Sequence, residues 1–152
     1  MRASVAEARR IFAGFPPPVG RMLAAVEGGE MASWGLFRRP HASALASGRV
    51  ALVGDAGHPM LSFMGQGAAM ALEDAVVLVR AIAAFPGDSE GAFEAYGWAR
   101  LPRTRAVMAA SAAGAERLQA ARPDSSRNED VLGIFAYDPA TQPLEGACLS
   151  CP

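Results

Sequence analysis

The residues of this chain best suited to chemistry fall in one segment. It begins Gly-Arg-Val-Ala-Leu-Val-Gly-Asp-Ala-Gly-His-Pro-Met at residue 48 and, from residue 65, continues Gly-Gln-Gly-Ala-Ala-Met-Ala-Leu-Glu-Asp-Ala. Asp55 follows the apolar run directly, and a carboxylate just past a buried parallel strand lies where α/β sheets bind ligands. When ionised, it accepts strong hydrogen bonds from adjacent hydroxyl groups of a sugar or sugar alcohol. The position of Asp55 therefore predicts a ligand-binding carboxylate.

The second chemical feature of this segment is a glycine-rich approach to a helix. Gly65 and Gly67 allow the backbone to come close to a ligand, and a helix that begins near Gly67 directs unpaired N–H groups towards it. This helix end carries partial positive charge and favours an electron-rich or anionic group. A flavin meets both demands, with ribitol hydroxyls for Asp55 and the pyrimidine carbonyl edge for the amides of Gly67, Ala68 and Ala69.

A strand, a loop and a helix must position these groups. The continuous apolar run Arg49–Val53, bounded by glycines, predicts a short buried strand with neighbours on both sides. A long loop follows, and residues 68–85 then show a helical period. The apolar positions of that helix are Met70, Leu72, Val76, Val79 and Ile82.

Further elements flank this central unit. Periodicity and capping residues predict helices before and after it, and alternation predicts a short strand at Ser33–Phe37. The helices are expected at Ala3–Phe15, at Val19–Val26, from Asp88 or Ser89 onwards, and from Pro102 to about Ala121, with Val107, Met108 and Leu118 inward. A polar linker, Pro123–Asp130, and an apolar patch, Val131–Phe135, precede the tail.

Length, composition and charge restrict the class of protein. The 152 residues, 51% hydrophobic and 19% charged, suit one ordinary domain and exclude disorder or a coiled coil overall. A net charge of -1 without any lysine gives no basic field for nucleic acid. We expect neither a membrane span nor a signal peptide, and hence a cytoplasmic protein. Cys148 and Cys151 are interpreted as tail residues, so no metal site is predicted.

The central motif resembles the second flavin-binding motif of the FAD-dependent aromatic hydroxylases, most of all the salicylate hydroxylase branch of the group A monooxygenases. Residues 12–17 and 34–40 resemble the final helix and strand of that family's substrate domain. Tyr96, Arg100 and residues 102–103 and 135–138 resemble its helical C-terminal part. The resemblance implies FAD at the interface of two domains, NAD(P)H as reductant, and hydroxylation of a small aromatic substrate.

The resemblance also implies a set of cofactor-binding residues. Asp55 would bind ribitol, and the backbone of residues 67–69 would face the isoalloxazine ring. Ser62 and Ala69 stand where relatives usually have Pro and Asn. The full set is Gly54, Asp55, Pro59, Gly65, Gln66, Gly67, Ala68 and Ala69. No catalytic residue is assigned, and the identity of the substrate is not encoded in this segment.

The predicted fold class is a mostly helical α/β fragment. It comprises the end of a substrate-binding domain (1–47), the last strand and helix of a Rossmann-like FAD-binding domain (48–85), and a helical C-terminal region with a tail (86–152). The 152 residues contain no Gly-x-Gly-x-x-Gly segment. We therefore expect a chain that is inactive alone and needs an N-terminal portion to work. The chain would then be a truncated gene product, a product with a misplaced start, or one half of a split enzyme whose N-terminal half is separate. An orphaned apolar strand would also favour association with a partner or with itself.

Other interpretations of these residues lead to different functions. A hydrolase triad of Asp55, His58 and Ser62 is disfavoured because all three lie in one loop without a nucleophile elbow. His58 is expected to pack or hydrogen-bond within the loop rather than to act as a base. Glu73 and Asp74 are expected to complement the helix dipole. A non-catalytic remnant or interaction module, or a halogenase or epoxidase of the same flavin superfamily, remains an alternative function.

Several larger side chains have two interpretations each. Met60, Met64 and Met70 either fill a core or line an aromatic pocket. Trp34 is expected to be half-buried on its strand, although it could face a substrate. Arg38 and Arg39 either meet an acidic substrate or are solvated, and solvation is the favoured interpretation.

Overall fold

The computed structural model describes residues 2–120 and 133–144. The chain divides into two compact units, Met1–Leu36 and Phe37–Pro152. The two cysteines and the linker 123–130 lie outside the described residues, so their predicted roles stay predictions. Within the described part, no helix is long and apolar enough to cross a bilayer.

The first unit pairs two short strands beside two short helices. Its elements are β1 (Arg2–Ser4), α1 (Val5–Ile11), α2 (Pro17–Ala24) and β2 (Glu30–Ala32). Strands β1 and β2 are antiparallel, with Ala3 opposite Met31. Ser4 caps α1 by accepting a hydrogen bond from the Glu7 amide. Proline at the start of α2 suits a first helical turn, whose amides have no helical acceptor.

The strand predicted at residues 33–37 is wrong. The strand of this region is β2, which ends at Ala32, opposite Arg2 of β1. Residues 33–37 have no regular secondary structure. Trp34 is 82% exposed rather than half-buried on a strand.

In the second unit, the apolar run forms one side of a small hairpin. Strand β3 (Ala46–Ser47) pairs antiparallel with β4 (Val50–Ala51), and the Leu52 amide donates to the Leu45 carbonyl at 2.8 Å. The prediction of a buried strand with two neighbours is wrong for the described chain, because β3 is its only strand partner there. Val50 is consequently 62% exposed.

Two helices build the core of the second unit. They are α3 (Gly67–Ala84) and α4 (Ser89–Gln119), which pack against each other. Leu45, Val77, Ala81 and Tyr96 form a buried cluster between the hairpin and the helices. The predicted cap at the start of α4 is confirmed, since the Asp88 carboxylate accepts from the Gly91 amide at 2.9 Å.

Helix α4 is continuous, whereas the sequence predicted two helices separated before Pro102. A proline inside a helix removes one N–H donor and usually ends or bends the helix. Here residues 100 and 103, on either side of it, are tied by their side chains to α3, and the helix runs through to Gln119. Val107 and Met108 are buried as predicted, but Leu118 is 45% exposed.

Helix α3 is apolar on two faces. The face that packs against the rest of the unit carries Met70, Asp74, Val77 and Ala81. Of the five apolar positions singled out by the periodicity, only Met70 is buried. The others are exposed: Leu72, Val76, Val79 and Ile82. The helical period was correct, but it could not indicate which apolar face has a neighbour.

The segments around these helices are held by α4 and α3. The loop between the hairpin and α3 contains two short 3-10 turns, Gly54–Ala56 and Ser62–Met64, and the Ser111 hydroxyl of α4 donates to the Leu61 carbonyl. Arg80 of α3 donates to the carbonyls of Pro139 and Gln142 at 2.7 and 2.9 Å. The predicted apolar patch Val131–Phe135 begins outside the described residues; within them, Ile134 is buried and Phe135 is exposed.

Candidate functional site

The candidate site is organised by the carboxylate of Asp74, on the second turn of α3. Its Oδ2 accepts hydrogen bonds from the Gly54 amide at 2.9 Å and from Nε2 of His58 at 2.6 Å. Its Oδ1 accepts from Nε of Arg100 at 2.7 Å. The side chains of Asp74, His58 and Arg100 are all fully buried. One carboxylate thus joins the Gly54–Ala56 turn, the following loop and α4.

Arg100 extends this cluster to a second carboxylate. Its NH1 donates to Glu73 at 2.8 Å, and Arg103 binds the same carboxylate through two nitrogens, at 2.9 and 3.2 Å. The guanidinium carbons of Arg100 and Arg103 lie 5.2 and 4.5 Å from the ring centre of Tyr137, within cation–π distance. The cluster therefore fastens residues 133–144 onto the two helices.

Burial and hydrogen bonding act in opposite directions on the ionised groups of the cluster. Burial alone would raise the Asp74 pKa, but the hydrogen bonds from His58, Gly54 and Arg100 outweigh it and hold the pKa below its ordinary value. Burial would lower the Arg100 pKa, but other interactions, chiefly the hydrogen bond to Asp74, outweigh burial and raise the pKa above its ordinary value. Both groups therefore stay charged at neutral pH.

His58 is a buried hydrogen-bonding residue, as the sequence predicted. Because ionised Asp74 can only accept, the His58 Nε2 atom carries the proton between them. Its Nδ1 atom is buried and has no hydrogen-bond partner among the described residues. His58 is thereby paired with Asp74 and not with Asp55, and Ser62 is exposed. Asp55, His58 and Ser62 therefore do not form a hydrolase triad, as expected from the sequence.

The prediction for Glu73 and Asp74 was wrong. Both were expected to complement the α3 dipole, but the first turn of α3 contains no acidic residue, and both carboxylates are engaged in ion pairs. The spacing of Arg100 and Arg103, three residues apart on one helix face, was the only local signal for this cluster. Arg100 and Arg103 pair with Glu73, some thirty positions earlier, and local spacing cannot predict this contact because it depends on the tertiary structure.

Asp55 lies at the centre of the turn that Asp74 fixes. It is exposed, and its carboxylate makes no hydrogen bond to another described residue. Gly54 has a positive φ of 59°, and a Cβ there would lie 3.5 Å from Cβ of Ala71. The turn is therefore in contact with the second turn of α3, while the Asp55 side chain is exposed.

The other half of the predicted site is the beginning of α3. No side chain caps this helix, and the first amide bonded in α-helical fashion is that of Met70, to the Gln66 carbonyl. Ala68 and Ala69 are exposed. A Cβ at Gly65 or Gly67 would meet no atom within 4 Å. The first amides of this helix thus have no helical or side-chain acceptor.

These two halves suit a ligand with hydroxyl groups at one end and electron-rich carbonyl groups at the other. An ionised acceptor is complementary to hydroxyls, and unpaired helical amides are complementary to carbonyl oxygens. Pro59 and Gln66 are partly buried in the loop between them. Among the described residues, no group of three His, Cys, Asp or Glu side chains could hold a metal ion.

Comparison with known proteins identifies the family of the chain. The family described as FAD binding domain matches residues 3–111. The chain is 37% identical over 147 residues to 6-hydroxynicotinate 3-monooxygenase of Bordetella bronchiseptica, covering 93% of this chain and 35% of the relative. It is 41% identical over 101 residues to 3-amino-4-hydroxybenzoate 2-monooxygenase PtnB3 of Streptomyces platensis, covering 66% of this chain and 25% of the relative.

A solved structure shares the fold. The crystal structure of FqzB superposes with a TM-score of 0.63 at 25% identity, covering 91% of this chain and 35% of that chain. The predicted fold class, a mostly helical part of a flavoprotein fold, is thereby confirmed. The chain spans about a third or less of the length of these relatives.

Proposed function

The chain belongs to the FAD binding domain family, and from that premise we propose that it forms the flavin-binding part of an NAD(P)H-dependent monooxygenase that hydroxylates an aromatic substrate. In this proposal Asp55 binds the ribitol hydroxyls of FAD. The amides of Gly67, Ala68 and Ala69 face the pyrimidine edge of its ring, and Gly54, Pro59, Gly65 and Gln66 shape the loop beside it. Bound FAD supplies the redox chemistry, and the chain supplies binding and orientation.

One observation carries the proposal. The buried Asp74 carboxylate accepts a hydrogen bond from the Gly54 amide at 2.9 Å, and this contact fixes the turn that carries Asp55 against the second turn of α3. A buried charge with several hydrogen bonds gives a rigid turn, and a pre-ordered turn loses little entropy when a ligand binds. The rigid turn therefore supports the proposal that a cofactor binds beside Asp55.

The substrate class of this proposal follows from the two relatives. The enzymes named for 6-hydroxynicotinate and 3-amino-4-hydroxybenzoate act on single-ring aromatic carboxylates. We extend that class to the protein in which this chain works. A matching N-terminal portion with a Gly-x-Gly-x-x-Gly segment would bind the ADP half of FAD, since the 152 residues contain no such segment. In this proposal the 152 residues are inactive by themselves.

A second candidate function is favoured by the exposed apolar face of α3. A non-catalytic interaction module of the same fold would use this face for a protein partner and would have no need for Asp55. Patches of this kind commonly mark interaction surfaces. The two candidates differ in one measurable property, which is the affinity for FAD.

A chimera tests the proposal. We would replace the aligned part of the Bordetella bronchiseptica enzyme by this chain and measure bound FAD and the oxidation of NADH and NADPH with 6-hydroxynicotinate. The expected result is a chimera that retains FAD, with loss of FAD on Asp55→Ala and retention on the matched surface change Glu116→Gln. A folded chimera without FAD would overturn the proposal. Micromolar FAD binding by the 152 residues alone would contradict the need for a second half.

A further inference from the structure

The segment at residues 133–144, which we call the C-terminal strap, is attached to both long helices. Arg80 of α3 and Arg103 of α4 donate to main-chain carbonyls near its two ends, at distances of 2.7 to 2.9 Å. Because the acceptors are main-chain atoms, these bonds fix the course of the strap whatever side chains it carries. They leave its side chains free for other contacts.

Tyr137 is a side chain of the strap that reaches the buried cluster around Asp74. Its ring centre lies 5.2 Å from the guanidinium carbon of Arg100 and 4.5 Å from that of Arg103. The Tyr137 hydroxyl is buried and has no hydrogen-bond partner among the described residues. Tyr137 therefore contacts the cluster through its aromatic ring, by cation–π attraction, and not through its hydroxyl.

Arg100 connects Tyr137 to the turn that carries Asp55. Its guanidinium donates to both acidic side chains of α3 and to a main-chain carbonyl of that helix, at 2.7, 2.8 and 3.3 Å. One of these acceptors is the Asp74 carboxylate, whose other oxygen accepts from the Gly54 amide. The orientation of the Arg100 guanidinium thus affects the position of the carboxylate that holds the turn.

The strength of this connection depends on the exclusion of water. Arg100 is fully buried, and an ion pair is stronger where water does not screen it. An aliphatic side chain in place of the Tyr137 ring would remove the cation–π attraction and open one face of the guanidinium to water. The pair of Arg100 and Asp74 would then loosen, and with it the hydrogen bond from Gly54.

The turn also has a second anchor, on the side away from Asp74. A guanidinium nitrogen of Arg39 donates to the carbonyl of Ala56, the residue after Asp55. Loosening Asp74 should therefore weaken the order of the turn without abolishing it. A graded effect on ligand affinity is expected, and not an all-or-none effect.

From this series of contacts, we propose that the C-terminal strap is a positioning element for the cofactor-binding turn, with Tyr137 as its positioning residue. Tyr137 holds Arg100, Arg100 orients Asp74, and Asp74 keeps the turn of Asp55 in its binding conformation. Tyr137 acts on FAD affinity through these residues and not by contact with the cofactor. This role deepens the proposed function and rests on it, since the ligand of Asp55 there is FAD.

Hydrogen exchange of the full 152-residue chain, followed by mass spectrometry on peptides spanning residues 52–58, measures the turn in the absence of FAD. Tyr137→Leu should speed exchange of the turn about tenfold, within the range of couplings along contact networks. Tyr137→Phe keeps the ring and should leave exchange unchanged. Phe135→Leu, an exposed change on the same strap, should also have no effect. Ala81→Gly, at a buried position far along α3, controls for a general loss of stability.

FAD titrated into the apo form of the chimera measures the effect on binding. We expect Tyr137→Leu to raise the Kd about tenfold, and Tyr137→Phe and Phe135→Leu to stay within about twofold of the unchanged chimera. Tyr137→Met, which fills more of the space of the ring, is a second ring-free variant if Tyr137→Leu does not fold.

The two measurements separate this role from the proposed function. Ring-free variants with unchanged exchange of the turn or unchanged Kd would overturn the role of Tyr137. Equal effects in Tyr137→Phe, or in Ala81→Gly at the same loss of unfolding free energy, would also overturn it. A folded chimera that binds no FAD without any change at Tyr137 would overturn the proposed function instead. Exchange of the turn in the Tyr137 variants would then still confirm or refute its control by the strap.

Discussion

The main-chain N–H of Gly54 donates a 2.9 Å hydrogen bond to the carboxylate of Asp74, twenty residues further along the chain. This contact connects the glycine-rich turn to α3 and leaves Asp55, the next residue, exposed. The acid that the sequence marked as ligand-binding is thus held in place by a second acid that is entirely buried. Asp74 thus stabilises the structure, and Asp55 is the carboxylate proposed to bind the ligand.

Replacing Asp74 by Asn should strongly destabilise the second unit. The change leaves buried Arg100 and the His58 ring without their charged acceptor, and removing one partner of a buried ion pair costs about 3–5 kcal/mol. Chemical denaturation followed by circular dichroism measures the loss. Glu116→Gln, an exposed change on α4, should stay within about 0.5 kcal/mol. Equal stability of the two variants would contradict the role of Asp74.

Acid should remove the contribution of Asp74 to stability. Its pKa in the folded chain lies below the ordinary value of 3.8, so the unfolded chain takes up this proton more readily than the folded chain. The stabilisation is therefore complete above about pH 4 and is lost as the pH falls through the lower, folded value. Unfolding free energies measured between pH 7 and pH 2 should fall less steeply in Asp74→Asn. Parallel curves would show that other carboxylates dominate.

Tyr96→Phe should cost about 1 kcal/mol of unfolding free energy, because it removes one buried hydrogen bond. The Tyr96 hydroxyl donates to the Leu52 carbonyl at 2.8 Å and connects α4 to the end of the hairpin. Burial raises the Tyr96 pKa, so the hydroxyl remains a donor at neutral pH and above. Ser47→Ala removes an exposed hydroxyl and serves as the control in the same denaturation series. A Tyr96→Phe variant as stable as Ser47→Ala would refute this contact.

Asp55→Ala should weaken FAD binding in the chimera by about 1.5–3 kcal/mol, the usual worth of hydrogen bonds to a charged group. Stability should change little, because Asp55 is exposed and makes no bond to another described residue. Fluorescence titration of FAD into the apoprotein gives the affinity. Asp138→Ala, an exposed acid on the segment after residue 132, is the control. An unchanged FAD affinity would remove Asp55 from the proposed site.

The isolated chain should associate with itself through the apolar face of α3. Leu72 and Val79 are 70% and 66% exposed on that face. Light scattering at micromolar concentration should show oligomers, and the double change Leu72→Gln, Val79→Gln should reduce them. Phe135→Gln removes an equally exposed apolar side chain elsewhere and should have little effect. A monomeric wild-type chain that melts cooperatively would contradict this prediction.

Local sequence was sufficient for α3, for the start of α4 and for the central motif. The period of residues 68–85 and the Asp88 cap predicted α3 and the start of α4. The motif around Asp55 indicated the flavoprotein family that the comparison confirmed. The helical period and the cap depend on residues within one or two turns of each other, where spacing along the chain fixes spacing in space.

Only the tertiary structure decided which groups meet. It paired Asp74 with His58 and Arg100, exposed Val50, and buried the Met70 face of α3 in place of the Leu72 face. The reason is physical. A helix with two apolar faces satisfies the same periodicity whichever face is covered, and an acid is buried only where distant donors compensate the loss of water.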